Sequence, residues 1–321
     1  MNRRLLLGLI FLISININAA QQIPNIVVSI KPIHSIVSAL MNGVSKPQLL
    51  LDSNDSAHTF HLKPSQLKLL SNADLLITIG DSFESGLTKV IRNIDQNYRL
   101  NLSEIKELQI YDLRDHNEIE HDEHDEHDEH DEHHEHDEHD EHDEHDEHDE
   151  QDKDLHLWLD TGNVQIIARK IKQRLIEINP SNKEKYNTNY LELESKLNQL
   201  NGALKLQLEP LKSTPFAVFA DRLQYLEKKF EMQRPVIITP YHGARLSINR
   251  ALKAKNSMKN LGVKCLIYGP ENTSKQVTIL SEGLNINTQS VDILGVKLNP
   301  GPDQYFNLMQ EISSQLVTCL E

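Results

Sequence analysis

SNKEKYNTNYLELESKLNQLNGALKLQLEPL, residues 181–211, decides the architecture. Within it Tyr186, Tyr190, Leu193, Leu197, Leu200, Leu204, Leu208 and Leu211 follow at intervals of 4, 3, 4, 3, 4, 4 and 3 residues. That spacing lays one apolar stripe along a single helix, weakened only at Gly202. A helix of this length spans about 46 Å at about 1.5 Å per residue, more than one small domain needs. It either bridges two lobes or forms half of a helical hairpin.

On both sides of the helix, short β-rich runs alternate with helical spacing. Before it, residues 26–30 (IVVSI), 48–51 (QLLL) and 75–79 (LLITI) read as strands, and 33–41 and 64–70 as helices. Residues 155–159 (LHLWL) read as a further strand, followed by a helix over 163–178. After the long helix, 216–219, 236–239, 263–268 and 291–294 read as strands, and 225–230, 246–260, 274–284 and 304–317 as helices. Such alternation argues for parallel α/β layers.

The formal net charge of −15 belongs to one segment. Residues 115–154 hold 24 Asp/Glu and one Lys, a net of −23, so the rest of the chain (32 basic, 24 acidic) carries +8. Twelve of the 17 histidines also fall there, in a near-perfect His-Asp-Glu repeat. Carboxylate repulsion without apolar residues to bury predicts a disordered acidic loop. Its imidazoles, among them His121, His124, His127, His130, His133, His134, His136, His139, His142, His145 and His148, suit zinc, copper or nickel, with carboxylates adding oxygen ligands. The alternative is a solvated insert without a metal role.

Residues 1–20 have the layout of a secretory signal peptide: Arg3-Arg4, an apolar run from Leu5, and Ala19-Ala20 near a cleavage point. In an exported chain the two cysteines, Cys265 and Cys319, suggest a disulfide, with two buried thiols as the alternative. No nucleotide-binding glycine pattern, GxSxG or HExxH occurs, so a hydrolase is not suggested, and the +8 outside the acidic segment is scattered, so nucleic acid is not suggested either. Outside the repeat, His58 and His61 lie three apart in a polar loop, His156 stands beside the only Trp, and Asp292 follows Val291 at an expected strand start.

In order, these pieces resemble the zinc-specific substrate-binding proteins of ABC importers, the ZnuA type of the metal-binding solute-binding class. Ser29-Ile30-Lys31-Pro32 resembles the opening strand, and His58 with Leu62-Lys63-Pro64-Ser65 the first ligand loop. Asn72-Ala73-Asp74-Leu75 resembles the next strand entry, and His156-Leu157-Trp158-Leu159 the second ligand segment. Phe219, Tyr225 and Lys228-Lys229-Phe230 resemble the third, and Cys265 and Cys319 the C-lobe disulfide pair.

The resemblance implies two lobes, each a mainly parallel sheet flanked by helices, joined by one long rigid helix. The implied divisions are a signal peptide 1–20, an N-terminal lobe 21–180 containing the insert 115–154, the helix 181–211 and a C-terminal lobe 212–321. It further implies a monomeric periplasmic protein that is not an enzyme. Such a protein holds Zn²⁺ between the lobes with His58, His156 and Asp292, and presents it to a membrane permease driven by a cytoplasmic ATPase. A periplasmic zinc buffer without transport, or a manganese- or iron-binding relative, are the alternatives.

One departure stands out. The family's third ligand segment carries His directly before Asp, whereas here Ala220 precedes Asp221. Position 57 also holds Ala, where some zinc members have Glu. Zinc prefers four ligands. A water, a histidine of the repeat, or His61 or His242 would have to fill the gap.

Overall fold

The structure, a computed structural model, describes residues 23–51, 62–114, 153–239 and 246–321. Residues 1–20, His58, His61, His242 and the histidines of the repeat lie outside the described residues.

The first half opens with β1 (Ile26–Val28), α1 (Lys31–Leu40), β2 (Gln48–Leu49), α2 (Pro64–Ser71), β3 (Leu75–Thr78), α3 (Thr88–Ile91) and β4 (Arg99–Asn101). These strands form a parallel sheet in the order β2-β1-β3-β4. β1 and β3 are buried along their whole length, as strands covered on both faces must be. Pro32 lies in the first turn of α1 and Pro64 opens α2, positions where a missing N–H costs nothing.

Next come β5 (Tyr111–Asp112) and β6 (Lys153–Asp154), paired antiparallel as a two-stranded ribbon at the two ends of the acidic segment. Helix α4 (Thr161–Ile178) follows, its N-terminus capped by Asp160, whose carboxylate accepts from the Gly162 N–H at 2.6 Å.

The striped stretch forms α5 (Lys183–Leu208), with a 3₁₀ turn at each end, Pro180–Asn182 and Glu209–Leu211. Tyr186, Leu193, Leu197, Leu200, Leu204, Leu208 and Leu211 are buried, and Tyr190 is half-buried. Gly202 has open space where a Cβ would stand, so no close approach calls for glycine there, and α5 runs through it unbroken. Both readings of this stretch hold at once. α5 packs along α4 as a hairpin, and it also touches α1 of the first half and the C-terminal helix.

The second half contains β7 (Phe216–Ala220), α6 (Gln224–Lys229), β8 (Val236–Thr239), α7 (Ile248–Asn260), β9 (Cys265–Tyr268), α8 (Ser274–Ser281), β10 (Asn287–Ser290) and α9 (Gln304–Leu320). Its parallel sheet has the order β10-β9-β7-β8. Numbered within each half, both sheets therefore run 2-1-3-4. Cys265 on β9 and Cys319 on α9 form a disulfide with Cα atoms 5.5 Å apart.

One hydrophobic core runs from the first sheet through α1, α4, α5 and α9 to one face of the second sheet. A smaller core lies on the other face, where Phe219, Leu266 and Ile238 meet Ala251, Met258 and Leu280 of α7 and α8.

Two strand expectations are corrected. Residues 155–159 are not a strand: Leu157–Leu159 is a 3₁₀ turn. Leu157, Trp158 and Leu159 are all buried, so the apparent alternation carried no information about a face. Residues 291–294 are not a strand either. The edge strand is Asn287–Ser290, whose polar, largely exposed side chains give no apolar signal. Asp292 therefore stands just past a strand end, not at a strand start.

Candidate metal centre

In open parallel sheets, ligands bind outside the carboxyl ends of the strands, where the strand order reverses. In the first sheet that point lies between β1 and β3, and in the second between β7 and β9. The segment carrying His58 connects the carboxyl end of β2 to α2, Ala220 ends β7, and Asp292 follows β10.

Beneath the first of these points Glu84 is fully buried. Its carboxylate accepts from the Ile79 and Gly80 N–H groups at 2.9 Å each and from the Ser29 hydroxyl at 2.5 Å. Burial pushes its carboxyl up to about 7, against the opposing pull of these donors. Glu84 thus ties the ends of β1 and β3 together. It also fixes its neighbour Phe83, whose ring meets His156 at 5.8 Å and Trp158 at 5.4 Å, edge to face.

His156 is held by Asp154. The Asp154 carboxylate accepts from the His156 backbone N–H at 3.0 Å and lies 2.7 Å from ring Nδ1. A carboxylate only accepts, so Nδ1 carries the hydrogen and the Nε2 lone pair is left for a metal. The other oxygen of Asp154 accepts from Gln224 at 3.3 Å, and its backbone carbonyl accepts from the Tyr225 hydroxyl at 2.5 Å. Asp154 is a positioning residue that sequence reading missed, although the Asp-x-His spacing was visible. Replacing Asp154 with Asn is expected to weaken zinc binding about 10–100-fold, measured by competition with a zinc chelator, while the circular dichroism of the fold stays unchanged.

Asp292 accepts three backbone N–H groups: Leu294 and Gly295 at 3.0 Å on Oδ1, and Val296 at 2.6 Å on Oδ2. A carboxylate has about four acceptor positions, so one remains on Oδ2 for a cation. Holding this turn and offering an oxygen to a cation are therefore compatible roles for Asp292. The Trp158 indole N–H donates to the Ile293 carbonyl at 2.8 Å. One hydrogen bond thus brings the segments of His156 and Asp292 together.

Ala220 is buried and lines a recess of about 20 Å³ with Val218, Ile267, Tyr268 and Val291. That is room for about one water. Asp221 beside it is buried 3.5 Å from Arg114 Nε, and Glu227 lies 2.7 Å from Arg114 Nη2. Burial raises the Glu227 carboxyl, while Arg114 opposes the rise. Arg114, which directly precedes the acidic segment, is thus held to the second half. Among the described residues no three His, Cys, Asp or Glu side chains are grouped to hold a metal.

The profile of the family described as "Zinc-uptake complex component A periplasmic" matches residues 26–319. The "High-affinity zinc uptake system protein ZnuA" of Brucella abortus (strain 2308) is 37% identical over 304 residues, covering 92% of this chain and 91% of its own. Its counterpart in Haemophilus ducreyi is 32% identical over 302 residues, covering 92% and 93%. A crystal structure of ZnuA superposes with a TM-score of 0.73 at 18% identity, over 94% of this chain and 100% of its own. A manganese-bound periplasmic metal-binding protein of Candidatus Liberibacter asiaticus superposes at 0.71 and 17%, over 93% and 100%. The last two show likeness of fold, and the profile and the relatives show descent: the chain belongs to the family of periplasmic A components of zinc-uptake complexes.

Proposed function

We propose that this protein captures Zn²⁺ in the periplasm and presents it to the membrane permease of an ABC importer, whose cytoplasmic ATPase drives uptake. The observation that carries this reading is the His156–Asp154 pair. A buried carboxylate holds Nδ1 of an imidazole, and Trp158 ties that segment to the Ile293 carbonyl next to Asp292. His58, His156 Nε2 and Asp292 Oδ2 are the proposed protein ligands, with a water or a repeat histidine in the position that Ala220 leaves open. Two imidazoles and one carboxylate suit zinc, and neither calcium nor magnesium selects nitrogen donors. The acidic segment 115–154, with its net charge of −23, raises the local concentration of cations. The protein acts as a monomer, makes no covalent change in its cargo and has no nucleic-acid partner.

Cells lacking their own binding protein but retaining the cognate permease test this directly. Expression of this chain restores growth under zinc limitation. A mere periplasmic buffer binds zinc but fails to restore uptake, and that result would refute the transport role. Calorimetry before and after deleting residues 116–150 separates one tight site from the many weak ones of the repeat.

A further inference from the structure

Lys31 stands where local physics disfavours it. It is the first residue of α1, at the positive end of the helix dipole, and it is only 7% exposed. The first turn of α1 has no acidic residue, and Ile30, the N-cap, makes no side-chain capping bond. A local conflict of this kind marks a residue held for a task elsewhere.

Its hydrogen bonds name the task. Lys31 Nζ donates to the carbonyls of Val296 at 2.6 Å and Leu298 at 3.1 Å, 265 and 267 residues further along the chain. The N–H of the same Val296 donates to Asp292 Oδ2. One residue therefore receives Lys31 on its carbonyl and holds Asp292 through its amide.

The rest of the loop is fixed in the same way. Trp158 takes the Ile293 carbonyl, and the Gln304 side chain takes that of Leu294 at 3.1 Å. Gly295 has φ +67°, and a Cβ there would stand 2.4 Å from Gln304 Nε2. The loop that follows β10 in the second half is thus anchored to the first half by Lys31 and Trp158.

We propose that Lys31 is a positioning residue for Asp292, fixing the turn that aims Oδ2 into the metal site before metal arrives. This rests on the reading of Asp292 as a zinc ligand. Hydrogen-bonded support of metal ligands typically contributes 10–100-fold to affinity.

A double-mutant cycle on the full chain tests it. Zinc dissociation constants are read by competition with a chelator strong enough to leave the repeat empty. Lys31→Met, which keeps the apolar stem, raises the constant about tenfold. Lys31→Arg, which keeps the donors, restores most of that loss. In an Asp292→Asn background, Lys31→Met has almost no further effect, because its route to the metal is gone. An unchanged constant in Lys31→Met overturns the proposal, as does an equal loss in both backgrounds, which a merely structural role would give. If Lys31→Met does not fold, Lys31→Gln takes its place in the same cycle. Failure of the premise shows separately, as an Asp292→Asn variant that binds zinc like the parent.

Discussion

His156→Ala raises the dissociation constant of the tight zinc site by two orders of magnitude or more. Structural zinc sites of four ligands are worth about 10–16 kcal/mol, so one imidazole carries roughly 3 kcal/mol, or about 100-fold. The loss here is not softened by a neighbour. Ala220 offers no side chain to replace the lost imidazole. Chelator competition measures the effect, and the His58→Ala, His156→Ala double variant takes it further. The interlobe site is wrong if that double variant binds like the parent.

The second large effect concerns stability. Replacing Cys265 and Cys319 together with Ala lowers the unfolding free energy by about 4 kcal/mol in the chain-entropy model. The bridge closes a separation of 54 residues and joins β9 to α9. α9 packs on both α1 and α5. Loosening its C-terminal end therefore weakens the element that joins the halves, not only the second sheet. Denaturant unfolding of the oxidised parent and the double variant measures the difference. A change below about 1 kcal/mol would mean that the unfolded chain gains little freedom when the bridge is absent.

What the sequence revealed about this fold follows from where its signals are local. The stripe from Tyr186 to Leu208 is a property of one helix, α5, and Leu211 follows in the 3₁₀ turn at its end. The α/β alternation came from continuous apolar runs such as Ile26–Val28 and Leu75–Thr78, which parallel sheets produce because both faces are covered. Signals failed where burial was complete or absent. Leu157, Trp158 and Leu159 are all in the core, so a 3₁₀ turn imitated a strand. β10 (Asn287–Ser290) is polar and at an edge, so the strand signal falls on the apolar residues just past it. β4 was missed for a similar reason: two of its three residues are only half-buried.

The candidate site was legible as residue types and not as connections. His156 and Asp292 stood out, but Asp154 and Lys31 did not. Their roles depend on hydrogen bonds to a ring nitrogen and to carbonyls 265 and 267 residues away. The Asp-x-His spacing is the one linear sign of Asp154, and no linear pattern marks the distant partners of Lys31. Only the misfit of Lys31 with its own helix end hints at one.

The most direct measurement is a crystal of the full chain grown with zinc, with the metal located by anomalous scattering at its absorption edge. The expected result is one strong peak between the two sheets, about 2.0–2.2 Å from His156 Nε2, from Asp292 and from His58. The fourth position then holds a water or a histidine of the repeat. A zinc ion bound elsewhere, with His156 Nε2 and Asp292 both left without metal, would contradict it.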